Sequence, residues 1–165
     1  QLQLQEAGYP AVRLSVAIED YNHQHQDLRT EDGPVYGDTI DQMDFPYLAR
    51  VTALNVRALA ALARAPMPPA PSVQGAVSTD TTLTWAPARG AANYIVYRRR
   101  ADERDWGDPF EVPADALPES GRHAVTLQGI RVDDWVFGIA SVSPDGHQSP
   151  VASAVPGGAF TPLPR

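Results

Sequence analysis

Polar and apolar residues alternate with a period of two through most of the second half of the chain. Leu83 and Trp85 share one face of a short run, Val125 and Leu127 share one face of another, and Tyr94/Val96 oppose Ile95/Tyr97 in a third. Successive side chains of a strand leave opposite faces, so this alternation predicts half-buried strands. They are expected near 72–77, 81–85, 93–99, 110–112, 123–127, 135–143 and 150–155. Ser143-Pro144-Asp145-Gly146 supplies a hairpin turn. Short strands at this spacing predict a β-sandwich.

The first part reads differently. Residues 9–18 predict a strand, entered through a Gly8-Tyr9-Pro10 turn. A long irregular connection follows, marked by Glu31-Asp32-Gly33-Pro34 and Tyr36-Gly37-Asp38. A helix is expected to start near Asp44, which suits the cap, with Pro46 in its first turn. Leu48, Val51, Ala58, Leu59 and Leu62 form its apolar stripe, while Arg50, Arg57 and Arg64 lie on another face. Pro66 ends it. The proline cluster at 65–71 favours extended polyproline geometry and predicts a semi-rigid spacer. A lone strand, loop and helix bury too little surface for a stable core, so residues 1–64 expressed alone are expected to self-associate.

Composition narrows the functional classes. Net charge is −7, which disfavours a nucleic-acid partner or an anionic membrane surface. All 13 basic residues are Arg, which coding bias explains better than function does. There are no cysteines, so disulfides, thiolate metal sites and a Cys nucleophile are excluded. No apolar stretch is long enough to span a bilayer.

The candidate chemistry lies in Glu19-Asp20-Tyr21-Asn22-His23-Gln24-His25-Gln26-Asp27. Two histidines stand one residue apart among carboxylates, after an apolar strand-like segment. Neutral imidazole is the commonest protein ligand to metals. Read by spacing alone, the pair is either two exposed loop histidines or part of a metal site. Glu19 and Asp20 fit a solvated or capping role better than a catalytic one. A zinc site needs three or four protein ligands, and the rest of the chain does not supply them. The run therefore reads as one corner of a site whose other corners lie on other sequence.

Residues 8–62 resemble the C-terminal end of the catalytic domain of zinc aminopeptidases of metallopeptidase family 28. The likeness rests on Gly8-Tyr9-Pro10-Ala11-Val12-Arg13, on the 19–27 run and on the helix expected over 47–63. In that family the last metal ligand is a His after the final strand, with an Asp four residues later. His23 and Asp27 have that spacing, which makes His23 the implied ligand and His25 the alternative. The resemblance implies removal of N-terminal residues from peptides by an enzyme with two zinc ions. It also implies a peptide substrate, a second-shell place for Asp20 and Asp27, and a secreted or periplasmic setting. Only one ligand carries over, and no adjacent Glu pair occurs, so the isolated chain is expected to be inactive. Asn22 stands where the family often has the Tyr that stabilises the oxyanion. Tyr21, one residue earlier, is the candidate for that role.

Residues 71–156 resemble a fibronectin type III domain. Leu83-Thr84-Trp85-Ala86-Pro87 is similar to its strand B with the core Trp, and Asn93 to Arg99 to its strand C. Leu127-Gln128-Gly129-Ile130 is similar to the corner before strand F, and Trp135 stands where Tyr is usual.

The expected fold class is thus two-part. Residues 1–64 are the C-terminal fragment of an α/β zinc-peptidase domain (strand, ligand loop, long helix). Residues 65–71 are a Pro-rich linker, 72–156 an all-β fibronectin type III-like sandwich, and 157–165 a tail. The competing function is a non-catalytic binding or adhesion module acting through Trp106 or Arg98-Arg99-Arg100, although no partner for the β part follows from its residues. A third reading places a single zinc between His23, His25 and a carboxylate.

Overall fold

A computed structural model of the chain describes residues 1–115 and 121–156. The expected tail, 157–165, lies outside the described residues. The element order is α1 (Leu2–Glu6), β1 (Arg29–Thr30), β2 (Val35–Tyr36), α2 (Phe45–Arg64), β3 (Ser72–Gln74), β4 (Thr81–Trp85), β5 (Asn93–Arg100), β6 (Gly107–Pro113), β7 (His123–Leu127), β8 (Trp135–Val142), β9 (Ala152–Ser153) and β10 (Val155–Pro156). Three sheets result: β1-β2, β10-β3-β4-β7 and β6-β5-β8-β9.

The two larger sheets close on one core. Alternation turns Thr81, Leu83 and Trp85 of β4 inward, all fully buried. They meet Tyr94 and Val96 of β5 and Phe137 and Ile139 of β8. Trp85 packs edge-on against Tyr94 with ring centroids 5.4 Å apart and stacks on His123 at 5.2 Å. The Tyr94 hydroxyl accepts from Ala88 N at 2.7 Å, which satisfies the polar end of a buried ring. Thr81 Oγ1 donates to Ile130 O at 2.6 Å for the same reason.

The chain changes sheet once near its described end. β9 pairs antiparallel with β8, whereas β10 pairs parallel with β3. Ala154 is the pivot: its N–H donates to Phe137 O at 2.8 Å, and the next N–H, of Val155, donates to Pro71 O at 3.1 Å. Residues 65–71 lie against the sheets, with Pro66, Pro69 and Pro71 buried and Met67 O accepting from Ser141 Oγ at 2.9 Å.

The structure overturns the two-part fold class. The described elements are mostly strands, in three small sheets, with α2 the one helix of more than five residues. Residues 1–64 make no α/β unit. The strand expected at 9–18 is absent; Val12, Leu14, Val16 and Ile18 alternate as a strand would, yet all are exposed, Ile18 to 93%. A strand exists only as part of a ladder, and no described segment pairs with this one. The only strands here are the two-residue β1 and β2.

α2 itself starts where local chemistry dictates. Asp44 Oδ1 accepts from Tyr47 N at 2.9 Å, Pro46 sits in the first turn, and the chain leaves in an extended geometry at Ala65 before Pro66. None of its residues is buried. Val51, Ala58 and Leu62 are half-covered, the last two beside Pro10 and Val12 across a shallow apolar cavity of about 310 Å³. No helix among the described residues is long and apolar enough to cross a membrane.

Trp106 is placed by a glycine. Gly138 is buried, and a Cβ built there would lie 2.9 Å from Trp106 Cη2 and 2.5 Å from Val151 Cγ1. The indole fills the space that the missing side chain leaves and sits near Tyr97 and Arg99. Gly138→Ala is therefore expected to force Trp106 or β9 away and to cost about 1–3 kcal/mol. A urea midpoint moved downward, with Trp fluorescence changed in the folded state, checks this.

Candidate metal centre

His23 is held by a loop that closes on itself. Asp20 Oδ1 accepts from Asn22 N at 3.0 Å and Asp20 O accepts from His23 N at 3.2 Å, so the turn before His23 is fixed by a local carboxylate. The chain then runs out through β1, reverses at Asp32-Gly33, both with positive φ, and returns through β2. Arg29 braces this hairpin. It donates to Glu31 Oε2 at 2.9 Å and Gln26 Oε1 at 3.0 Å and lies 4.1 Å over the Tyr36 ring. The return delivers Gly37 to the His23 turn. Gly37 N donates to Asn22 O at 2.9 Å, and Gly37 O accepts from His23 Nδ1 at 3.2 Å.

The imidazole is half-buried. Asp20 Oδ2 lies 4.0 Å from Nε2, close enough for charge interaction and too far for a hydrogen bond. His23 opens on a cavity of about 280 Å³, walled by Asp38, Thr39, Ile40, Met43 and Phe45. The Asp41 carboxyl, on the short helical turn Ile40–Gln42, is held below its usual value. The main cause is the side-chain hydrogen bond from Thr39, then that from Gln42, with a small contribution from His23.

The other expected residues are placed apart from this contact. His25 is exposed with φ 56°, and Tyr21 is exposed to 68%. Asp27 is exposed, and no hydrogen bond or ion pair joins it to His23 among the described residues. No three His, Cys, Asp or Glu side chains converge as a metal site among those residues. The donor set thus fits one zinc ligand rather than a complete site: an imidazole whose Nδ1 is occupied by a carbonyl, as ligating histidines usually are.

Sequence reasoning did not single out Gly37, Asp38, Thr39 or the Ile40–Phe45 wall. Their only signal was the Tyr36-Gly37-Asp38 punctuation, which marks a turn without saying what the turn meets. His123 was also missed. It is fully buried and faces Trp85 across the β4–β7 ladder.

No family model matches the chain. In sequence it is related to proteins named probable zinc metalloproteases. That of Leptosphaeria maculans is 36% identical over 155 residues, covering 92% of this chain and 34% of the relative. Those of Pyrenophora tritici-repentis, 33% identical over 156 residues, and Pyricularia oryzae, 35% identical over 165 residues, each match 92% of the chain and 31% and 30% of themselves. The chain spans about a third of the length of the curated relatives it matches. Coverage of 92% leaves room to exclude neither the part with His23 and α2 nor the two larger sheets.

Proposed function

We propose that this chain belongs to a zinc aminopeptidase of metallopeptidase family 28 and contributes one ligand, His23, to a two-zinc site. The observation that carries the reading is the His23 Nδ1 contact to Gly37 O, 3.2 Å long, beside an open cavity. It leaves Nε2, with its lone pair, as the nitrogen able to ligate. The relatives' name supports the metal and the reaction class. The order of residues from Gly8 to Asp27 supports the family.

Zinc, when bound, supplies Lewis acidity toward a scissile carbonyl. The chain's own part is positional. His23 must stay neutral at Nε2, and Gly37 keeps the proton on the other nitrogen. Asp20, near the ring, adds negative charge that favours a cation at that side. The paired four-stranded sheets, fibronectin-like in their motifs, serve as an appended module without catalytic groups. The 165-residue chain alone is inactive on this reading, because one imidazole does not hold a zinc pair.

An aminopeptidase requires the free substrate α-amino group. A longer polypeptide containing this chain is expected to release arylamine from an aminoacyl-arylamide, to lose that activity in chelator, and to leave the N-acetylated substrate intact. Internal cleavage of an N-acetylated peptide would instead make the enzyme an endopeptidase and overturn the specificity proposed here.

A further inference from the structure

We infer that Gly37 is a positioning residue that sets the tautomer of His23, fixing Nε2 as the nitrogen offered to a metal. The inference rests on the reading of His23 as a zinc ligand, but its physical content is a statement about protons. Two contacts from one residue grip the turn: Gly37 N donates to Asn22 O at 2.9 Å and Gly37 O accepts from His23 Nδ1 at 3.2 Å. A carbonyl oxygen only accepts, so Nδ1 must carry the proton in the neutral ring. A neutral histidine in water prefers the proton on Nε2. The grip therefore opposes the intrinsic preference.

Only glycine makes this grip. Its φ is +119°, a region L side chains rarely adopt. A Cβ there would collide with Leu28 Cδ2 and would lie 3.1 Å from Leu28 Cα. A side chain at 37 thus displaces the carbonyl from Nδ1 or the 22–23 turn from Leu28. Either way the ring relaxes toward the Nε2–H tautomer, and ligation through Nε2 must first move that proton.

The test uses the ¹⁵N-labelled 165-residue chain without metal, at a pH where its histidines are neutral. Long-range ¹H–¹⁵N spectra report which ring nitrogen is protonated. The Nδ1–H to Nε2–H ratio of His23 is expected to exceed that of exposed His25 in the same spectrum, whose ring is mainly Nε2–H. One hydrogen bond shifts the tautomer ratio by about fivefold. In Gly37→Ala, His23 is expected to revert toward the His25 ratio while the Trp85 indole signal, deep in the sheets, stays unmoved. A wild-type His23 matching His25, or a Gly37→Ala spectrum unchanged at His23, overturns the positioning role and leaves the zinc reading to stand on zinc content. The expected tautomer, together with a longer protein whose zinc survives His23→Ala, upholds the grip and overturns the zinc reading.

Discussion

Trp85→Ala is expected to lose about 3–5 kcal/mol of stability and to leave the paired sheets largely unfolded at 37 °C. Trp85 is fully buried and touches both sheets' contributions to the core, edge-on to Tyr94 and stacked on His123. Removing the ring leaves a cavity that neighbours of fixed β geometry cannot refill. The loss is a large part of what a domain has, since total stabilities run about 5–15 kcal/mol. Trp85→Phe is expected to cost less than half as much. It keeps most of the packing and deletes an Nε1–H that makes no hydrogen bond among the described residues. Urea unfolding followed by Trp106 and Trp135 fluorescence separates the two variants, and equal midpoints would show that the ring at 85 does not organise the core.

The second large effect falls on chemistry. In a polypeptide long enough to be active, His23→Ala is expected to abolish turnover while the protein remains folded. Loss of a direct ligand should exceed the roughly 10–100-fold penalty seen when a residue behind a ligand is changed. His25→Ala is expected to be nearly silent, because His25 is exposed and sits outside the Gly37 contact. Comparable losses from both variants would point to a site built on the pair.

The same period-two pattern led to opposite outcomes in two places, and the difference is instructive. In β4 the ladders to β3 and β7 make the strand, and Tyr94, Val96, Phe137 and Ile139 of the other sheet bury Leu83 and Trp85. In residues 12–18 the alternation is as regular, but no described strand pairs with it. Periodicity reports what a segment could cover, and only a partner makes a strand of it. α2 repeats the lesson. Its start was legible because capping by Asp44 is local chemistry. The burial of its stripe was not, because burial needs a neighbour, and Leu48 and Leu59 remain exposed. The switch of sheets at Ala154 has no signature in hydropathy either, since one residue in a run of alternating small side chains makes it.

The candidate site divides along the same line. His23 was legible from residue type and spacing. Gly37 was not, because it meets His23 from fourteen residues away, through a hairpin whose register places it there. His123 was not legible either: its place opposite Trp85 is set by the β4–β7 register, and its residue type argued for the surface.

The central claim is that this chain supplies a single zinc ligand and that the ligand is His23. Zinc content, measured by mass spectrometry on a purified polypeptide that contains this chain and is long enough to be active, tests it most directly. The claim expects two zinc equivalents in wild type, two in His25→Ala, and loss of at least one in His23→Ala, with the protein still folded. Full zinc retained by folded His23→Ala would contradict it.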